Sequence, residues 1–295
     1  MAIGDDVLEG PDARTEGGAA APALTFSAGV LSFGAHQTIT RALQAHRESG
    51  LVDCAADFFV YFNAITDADR EIATQAGVRH EGSPENLGIY GGFRAIAEHA
   101  KTPYVLILEN DIVPLPGARI RACIESCLSD MAEAKIKTFC LRSRSCPGEG
   151  GPHEKYVKVF GLKDPIVPGL APHEATLASK LKMFLKHGDF HRFRSSAIYC
   201  ERDPEKVQKD AIRKLPSGNY VTNSRYRNWS NQAVLVEREY FLNVVCRRVE
   251  EHPDPRLVNG RQDIERAMNR RWWRRRRDAM GHAAEGVFTH RRLDR

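Results

Sequence analysis

The amino-acid sequence predicts an α/β fold with a mostly parallel central sheet that is flanked by helices. Two observations carry this prediction. The run Tyr104-Val-Leu-Ile-Leu108 is apolar without polar alternation, which is typical of a strand that is buried on both faces. Short strand-like runs also alternate with helical patterns over the first 116 of the 295 residues, as in parallel βαβ units.

Before the central strand, the sequence predicts strands that alternate with helices: 25–33, 36–49, 57–63, 66–76, 78–80 and 91–100. Gly50 and Gly77 come directly after the first two helices, where glycine commonly ends a helix. Pro103 then introduces the central strand. Because helices separate these strands, we expect right-handed crossovers between parallel neighbours.

After residue 116 the predicted elements are a helix over 118–134, a strand over 138–142, an edge strand over 233–236 with a helix to about Cys246, a helix from Gly260 to about Arg277, and a short strand over 286–290. Residues 143–175 are rich in Gly, Pro and His and are predicted to form a loop. Residues 1–23 lack the basic start and apolar centre of a signal peptide, and we expect a mobile tail. Residues 24–295 are expected to form one domain.

Composition and motif content remove several classes of function. No apolar run reaches the length of about 18 residues that a transmembrane helix needs. The seven cysteines include no CxxC pair, which argues against a zinc site and predicts reduced thiols in a cytoplasmic protein. Neither GxGxxG nor GxxxxGK[ST] occurs, so a dinucleotide oxidoreductase and a P-loop kinase lose their main support.

Two carboxylates stand where the central strand ends. In a continuing strand, Glu109 and Asp111 would point the same way and Asn110 the opposite way. Ligands bind at this edge of open α/β sheets, and oxygen ligands suit Mg²⁺ or Mn²⁺. The plain alternative is an acidic turn that caps the next segment. The buried strand before the pair favours a metal site.

Several motifs occur in a characteristic order over residues 25–116: Asn63 with Thr66-x-x-Asp69, Asn86-Leu-Gly88, Gly91-Gly-Phe-Arg94-Ala-Ile-Ala97 and Pro103 to Asp111. This order resembles the nucleotide-sugar-binding half of GT-A fold glycosyltransferases of the family-2-like kind. In that family a glycine-containing helix start precedes a buried strand that ends in Asp-x-Asp. Glu109 stands here for the first Asp, and Asn63 stands where the family usually carries an Asp that reads the nucleobase.

The resemblance implies a GT-A, Rossmann-like sheet, with a nucleotide-sugar-binding half over 24–116 and an acceptor-binding half with C-terminal helices over 117–295. It implies a nucleotide-diphosphate sugar as donor and a divalent metal that Asp111 holds and that bridges the donor diphosphate. Glu109 would assist at the metal, nearer the ribose or a metal-bound water. The further positions that it assigns to the donor are Ser32, Phe33, Asn63, Gly92, Arg94 and Asn110. For Arg94 an exposed helical position is the alternative.

The resemblance also implies a late histidine as an additional metal ligand, and His290 matches that place. An imidazole nitrogen in an oxygen-rich site is more typical of Mn²⁺ than of Mg²⁺. A surface histidine near the chain end is the alternative.

A second acidic cluster begins the helix after Gly260. Residues two apart on a helix face roughly opposite sides, so only one of Asp263 and Glu265 can enter a site. In the inverting pattern of the resembled family, an acid at such a helix start is the general base. Asp263 matches that position best and Glu265 is the alternate. A helix-capping role is the competing interpretation.

A run of arginines over 270–277 surrounds Trp272 and Trp273. Such a run can contact an anionic membrane surface peripherally, an acidic acceptor or nucleic acid, or it can be a solvated helix end whose tryptophans pack inward. Nothing else in the sequence indicates nucleic-acid recognition.

The sequence therefore predicts a metal-dependent glycosyltransferase that moves one sugar from a nucleotide-diphosphate sugar to a hydroxyl of a glycan or lipid-linked acceptor, in glycan or polysaccharide synthesis. A base candidate favours inversion, and retention stays open. Two alternatives remain: a nucleotidyltransferase that acts on sugar phosphates, and a non-catalytic module that binds anionic surfaces.

Overall fold

A computed structural model describes residues 24–148 and 191–291, together with five single positions between them (156, 177, 178, 181 and 185). The predicted tail over 1–23 lies outside the described residues, as does most of the predicted loop over 143–175.

The first described range holds the elements β1 Phe26–Ser32, α1 His36–Glu48, α2 Leu51–Cys54, β2 Asp57–Phe62, α3 Asp67–Gln75, β3 Arg79–Gly82, α4 Gly88–His99, β4 Tyr104–Glu109, β5 Ile112–Pro114, α5 Ile120–Glu133 and β6 Thr138–Cys140. The second holds a 3₁₀ helix His191–Tyr199, α6 Pro204–Val207, β7 Arg213–Lys214, β8 Tyr220–Asn223, β9 Val234–Glu237, α7 Arg238–Tyr240, a π-helix Phe241–Cys246, α8 Arg247–Glu251, α9 Ile264–Met268, α10 Arg271–Arg276, β10 Ala279–His282 and β11 Phe288–His290.

The described strands form one nine-stranded sheet in the order β3-β2-β1-β4-β9-β6-β10-β8-β7, and a two-stranded sheet of β11 and β5. In the large sheet only β9 and β8 pair antiparallel with both neighbours, so the other strands share one direction. The predicted α/β class with a mostly parallel, helix-flanked central sheet is confirmed.

The central strand β4 lies between β1 and β9 and serves both layers of the core. Leu106 and Leu108 pack in the core that α1 and α5 cover. Val105 and Ile107 pack in the core that α4 and the π-helix cover. Each of these buried side chains contributes about 1.5–3 kcal/mol relative to exposure. Burial on both faces explains why this run shows no polar alternation.

Three predictions from the sequence were wrong in detail: the common orientation of Glu109 and Asp111, the edge position of β9, and a single helix over 260–277. β4 ends at Glu109 and residues 110–111 form a turn before β5, so strand alternation does not orient Glu109 and Asp111 alike. β9 is an interior strand, because its apolar side chains are buried between β4 and β6.

The predicted helix over 260–277 is divided into α9 and α10. At the break, the Asn269 side chain both accepts from the Trp229 amide at 2.6 Å and donates to the Trp229 carbonyl at 2.9 Å. The next residue, Arg270, has an extended backbone.

The tryptophans of the arginine-rich segment pack against the protein. Trp273 is fully buried and its Nε1 donates to the Arg227 carbonyl at 2.9 Å. The guanidinium groups of Arg248 and Arg276 lie over the Trp272 ring, at 4.8 and 5.0 Å from its centroid. None of the helices within the described ranges is long and apolar enough to cross a membrane.

Candidate active site

An acid and a histidine meet at the edge of the small sheet. β5 and β11 pair antiparallel with His290 opposite Ile112, which brings the His290 ring beside Asp111. His290 Nε2 lies 2.9 Å from Asp111 Oδ2, and the Arg291 amide donates to the Asp111 carbonyl at 2.8 Å. Because β5 follows β4 directly, this pair lies where the central strand ends.

The other carboxylate oxygen of Asp111, Oδ1, is buried and has no hydrogen-bond partner. A buried carboxylate oxygen without a partner is costly, and a cation is the usual compensation. No group of three or more His, Cys, Asp and Glu side chains is placed to hold a metal ion in the part of the chain that the structure describes. Asp111 Oδ1 is thus a candidate oxygen ligand for a divalent metal, which would need further ligands from outside these side chains.

Gln232 fixes the orientation of His290. Arg142 can only donate a hydrogen bond, and it donates to Gln232 Oε1. The Gln232 amide nitrogen then faces His290 Nδ1, at 3.2 Å. By this hydrogen-bond network, Nδ1 accepts and the imidazole proton is on Nε2, facing Asp111. Coordination of a metal by Nε2 would require the proton on Nδ1 and Gln232 turned over, so in this arrangement His290 is a donor to Asp111.

A first cavity of about 300 Å³ opens at the carboxyl ends of β1, β2 and β4. Its walls are Leu31, Ser32, Phe33, Ala35, Asn63, Asn86, Gly88, Ile89, Glu109, Asn110, Val258, Asn259, Arg261, Gln262 and Asp263. The structure thus brings together six of the candidate site residues that the sequence predicts: Ser32, Phe33, Asn63, Glu109, Asn110 and Asp263. Asp111 directly follows this wall in the chain.

Asn63 and Phe33 give the first cavity two features that suit a nucleobase. Asn63 is buried, its Nδ2 donates to the Gly88 carbonyl at 3.1 Å, and its Oδ1 has no partner. That oxygen can accept from an N–H at a base edge. The Phe33 ring is 55% exposed, which leaves its face open for stacking on the cavity rim.

Two predicted donor residues lie off the walls of both cavities described here. A Cβ at Gly92 would stand 2.4 Å from Leu31 Cδ1, so this glycine allows α4 to pack closely on β1. Arg94 is exposed, its Nε donates to Glu98 at 2.8 Å, and it also pairs with Glu250. Packing against β1 and surface ion pairs are the contacts that the structure shows for these two residues.

The acids at the start of α9 face different cavities. Asp263 is the N-cap residue: its Oδ1 accepts from the Glu265 amide at 2.9 Å and its Oδ2 lies 3.4 Å from Arg266 Nε. It also lines the first cavity. Glu265 accepts from the Asn231 amide at 2.9 Å and lines a second cavity. Asp263 therefore both caps α9 and lines the first cavity.

The second cavity, of about 150 Å³, is strongly polar. It is lined by Cys140, Arg142, Arg192, Phe193, Ser195, Ser196, Tyr199, Arg227, Asn228, Trp229, Ser230, Gln232, Glu265 and Asn269. Its wall residue Gln232 contacts His290, so the Asp111–His290 pair connects to both cavities. Apart from Glu265, these residues were missed in the sequence, because they come from separate segments without a shared motif.

The pKa of the Cys140 thiol is affected by the positive charge near the second cavity. Burial alone would raise the pKa of the Cys140 thiol, but the nearby Arg227 guanidinium opposes this and the pKa is lowered from its usual value. Arg227 itself is buried and donates to the Gly281 carbonyl at 3.1 Å.

No family model matches the chain, and no curated protein matches it at a significant level. Among solved structures, the chain is similar to the mannosyltransferase PcManGT from Pyrobaculum calidifontis in complex with GDP-Man and Mn²⁺, with 16% identity and a TM-score of 0.35 over 46% of this chain and 38% of that one.

The chain is also similar to S. aureus TarS in complex with UDP-GlcNAc, with 10% identity and a TM-score of 0.49 over 92% of this chain and 60% of that one. A third similar structure is glucosyl-3-phosphoglycerate synthase from Mycobacterium tuberculosis in complex with phosphoglyceric acid, with 16% identity and a TM-score of 0.33 over 47% of each chain. In each case the chain spans less than two thirds of the other protein's length. The function proposed below rests on the residues of this chain.

Proposed function

We propose that this chain is a GT-A fold glycosyltransferase that moves a sugar from a nucleotide-diphosphate donor to an acceptor hydroxyl with the help of a divalent metal. The observation that carries the proposal is the unpartnered, buried Oδ1 of Asp111, one residue beyond the wall of the first cavity. A carboxylate in that position suits the diphosphate end of a nucleotide whose base occupies the first cavity.

In this proposal the first cavity holds the nucleotide. Asn63 Oδ1 accepts from a base N–H, and Phe33 stacks on the base. Asp111 holds the metal through Oδ1, while His290 keeps the carboxylate in place through Oδ2. A bound metal supplies Lewis-acid stabilisation of negative charge on the departing diphosphate. Mn²⁺ is the first metal to test, and Mg²⁺ is tested in parallel.

Asp263 is the proposed general base. Its carboxylate lines the first cavity and is held in place by its capping bond to the Glu265 amide. A carboxylate placed there can take the proton of an acceptor hydroxyl as that oxygen attacks the anomeric carbon. One-step displacement of this kind inverts the configuration at that carbon.

The acceptor in this proposal is a glycan or a lipid-linked molecule. A lipid-linked acceptor would bring the chain to an anionic surface, and the exposed Arg271, Arg275 and Arg277 would supply positive charge for that contact. Co-sedimentation with anionic vesicles tests this contact, and a chain that stays in the supernatant would remove it.

Incubation with Mn²⁺ and a panel of nucleotide sugars tests the activity. GDP-mannose and UDP-GlcNAc belong in the panel. Release of a nucleoside diphosphate is the expected result. Release of pyrophosphate would instead indicate a nucleotidyltransferase, and the absence of turnover and of nucleotide binding would leave only a non-catalytic module.

A further inference from the structure

The second cavity concentrates positive charge. Among the described residues that line it, three are arginines, Arg142, Arg192 and Arg227, and one is a carboxylate, Glu265. A guanidinium stays protonated at any pH at which the protein is folded, so these charges are permanent. Charged side chains are seldom buried without a partner, and these three line a cavity of about 150 Å³.

Arg227 is the most informative of the three. It is only 8% exposed, and the hydrogen bond given by its guanidinium goes to the neutral Gly281 carbonyl. Across the described residues it forms no ion pair with a carboxylate. Buried charges are normally paired, because desolvation of a lone charge is costly. Apart from the Cys140 thiol, whose pKa Arg227 lowers, a negatively charged ligand in the cavity would be its ionic partner.

The other walls supply hydroxyl and amide groups. Ser195, Ser196 and Ser230 line the cavity, and Asn228 has a buried Oδ1 without a partner. That oxygen can accept from a ligand hydroxyl. A cavity of this size accommodates a six-membered ring. The lining therefore matches a small hydroxylated group that carries a negative charge.

The second cavity also lies in the right place for an acceptor. Gln232 belongs to its wall and contacts His290, the partner of Asp111. Glu265 belongs to its wall and shares the first turn of α9 with Asp263. Both contacts connect the cavity to the residues proposed to carry the reaction.

We propose that the second cavity is an acceptor subsite that binds an anionic group, a phosphate or a carboxylate, at Arg227 and Arg192. The residues that line the cavity support the anion-binding site. Its assignment to the acceptor rests on the proposed function. The lowered pKa of the Cys140 thiol is consistent with the positive field of this cavity.

Titration with inorganic phosphate, and separately with glucuronate, tests the subsite in the metal-free protein at constant ionic strength. Binding can be followed by calorimetry or by ³¹P line broadening for phosphate. Loss of a charged hydrogen bond predicts that Arg227→Gln and Arg192→Gln weaken anion binding by about ten- to hundredfold. Arg227→Lys should retain part of the affinity.

The matched control is Arg121→Gln, because Arg121 is exposed on α5 and lines neither cavity. It should bind both probes like the wild type. Stronger binding of phosphate than of glucuronate would identify a phosphorylated acceptor, and the reverse a sugar acid. Anion binding that is absent from the wild type, or equal in the wild type and both cavity variants, would overturn the subsite.

Nucleoside diphosphate binding in the presence of Mn²⁺, measured on the same proteins, separates the two proposals. If the Arg192 and Arg227 variants bind both nucleotide and anion like the wild type, the acceptor subsite is wrong and the proposed function is unaffected. Arginine-dependent anion binding in a protein that binds no nucleotide would sink the glycosyltransferase proposal and leave an anion site.

Discussion

His290 and Asp111 are 179 residues apart in the sequence and form a hydrogen bond of 2.9 Å between Nε2 and Oδ2. The bond joins the end of the central strand to the last described strand. It leaves Oδ1 of Asp111 without a partner. The hydrogen-bonding direction set by Arg142 and Gln232 makes the histidine a donor to the acid, so in the proposed site only the acid binds the cation.

Replacing His290 tests this division of roles. His290→Gln keeps an N–H that can reach Asp111, so Mn²⁺ affinity in the presence of nucleoside diphosphate should stay within about threefold of the wild type. His290→Ala removes the donor and should weaken Mn²⁺ binding by about 10- to 100-fold, the usual effect of losing an outer-shell partner. Calorimetric titration measures both. Equal, severe losses in the two variants would make His290 a direct ligand.

Removal of the Asn63 acceptor tests the nucleotide site. Asn63→Ala deletes one neutral hydrogen bond, which contributes about 0.5–1.5 kcal/mol, so the Kd of the nucleoside diphosphate should rise by about 3- to 10-fold. Free ribose-diphosphate analogues without a base should bind the variant and the wild type alike. An unchanged nucleoside diphosphate Kd would place the base elsewhere.

The two acids of α9 can be separated by isosteric amides. General-base catalysis contributes about 10²- to 10⁴-fold, so Asp263→Asn should lower kcat by that factor and leave the nucleoside diphosphate Kd unchanged. Glu265→Gln keeps an acceptor for the Asn231 amide and should act mainly on acceptor KM. If Glu265→Gln carries the large loss in kcat and Asp263→Asn does not, the assignments are reversed.

A buried histidine outside the site predicts a pH-dependent stability. His46 is fully buried against the rings of Phe58 and Phe288, and burial lowers its pKa from 6.5 to about 3. The folded state thus favours the neutral ring, and the free energy of unfolding falls below pH 6.5 by up to about 1.4 kcal/mol per pH unit, down to about pH 3.

His46→Leu removes this proton uptake and should flatten the pH dependence, which urea unfolding at pH 7.5, 6.0 and 5.0 measures. Both ring nitrogens of His46 lack partners, so the apolar side chain should also raise stability at pH 5. A variant with the same slope as the wild type would show that other groups cause the acid sensitivity.

The sequence could predict much of one side of the site, because strand ends have a visible pattern. Ser32, Asn63 and Glu109 each close an apolar run, and parallel strands place such closing residues at one edge. The side-chain direction of Asp111 could not be predicted, since the turn at 110–111 interrupts the strand period.

The other side of the site depends on contacts between distant segments. Gln232 reaches His290 only because β9 inserts between β4 and β6, an insertion that the apolar run of β9 does not specify. Arg192 and Arg227 face the same cavity from separate segments, with no common spacing in the sequence. Tertiary packing alone brings such residues together.

The most direct measurement of the central claim is nucleoside diphosphate binding to Asp111→Asn with and without Mn²⁺. The amide retains the shape of the side chain and an acceptor for His290, but it lacks the charge that a cation needs. The Mn²⁺-dependent gain in affinity should fall by more than about 100-fold, beyond the effect of an outer-shell loss. Asp67→Asn, at a fully exposed position, should keep the whole gain. A wild-type Mn²⁺ gain in Asp111→Asn would contradict a metal site at Asp111.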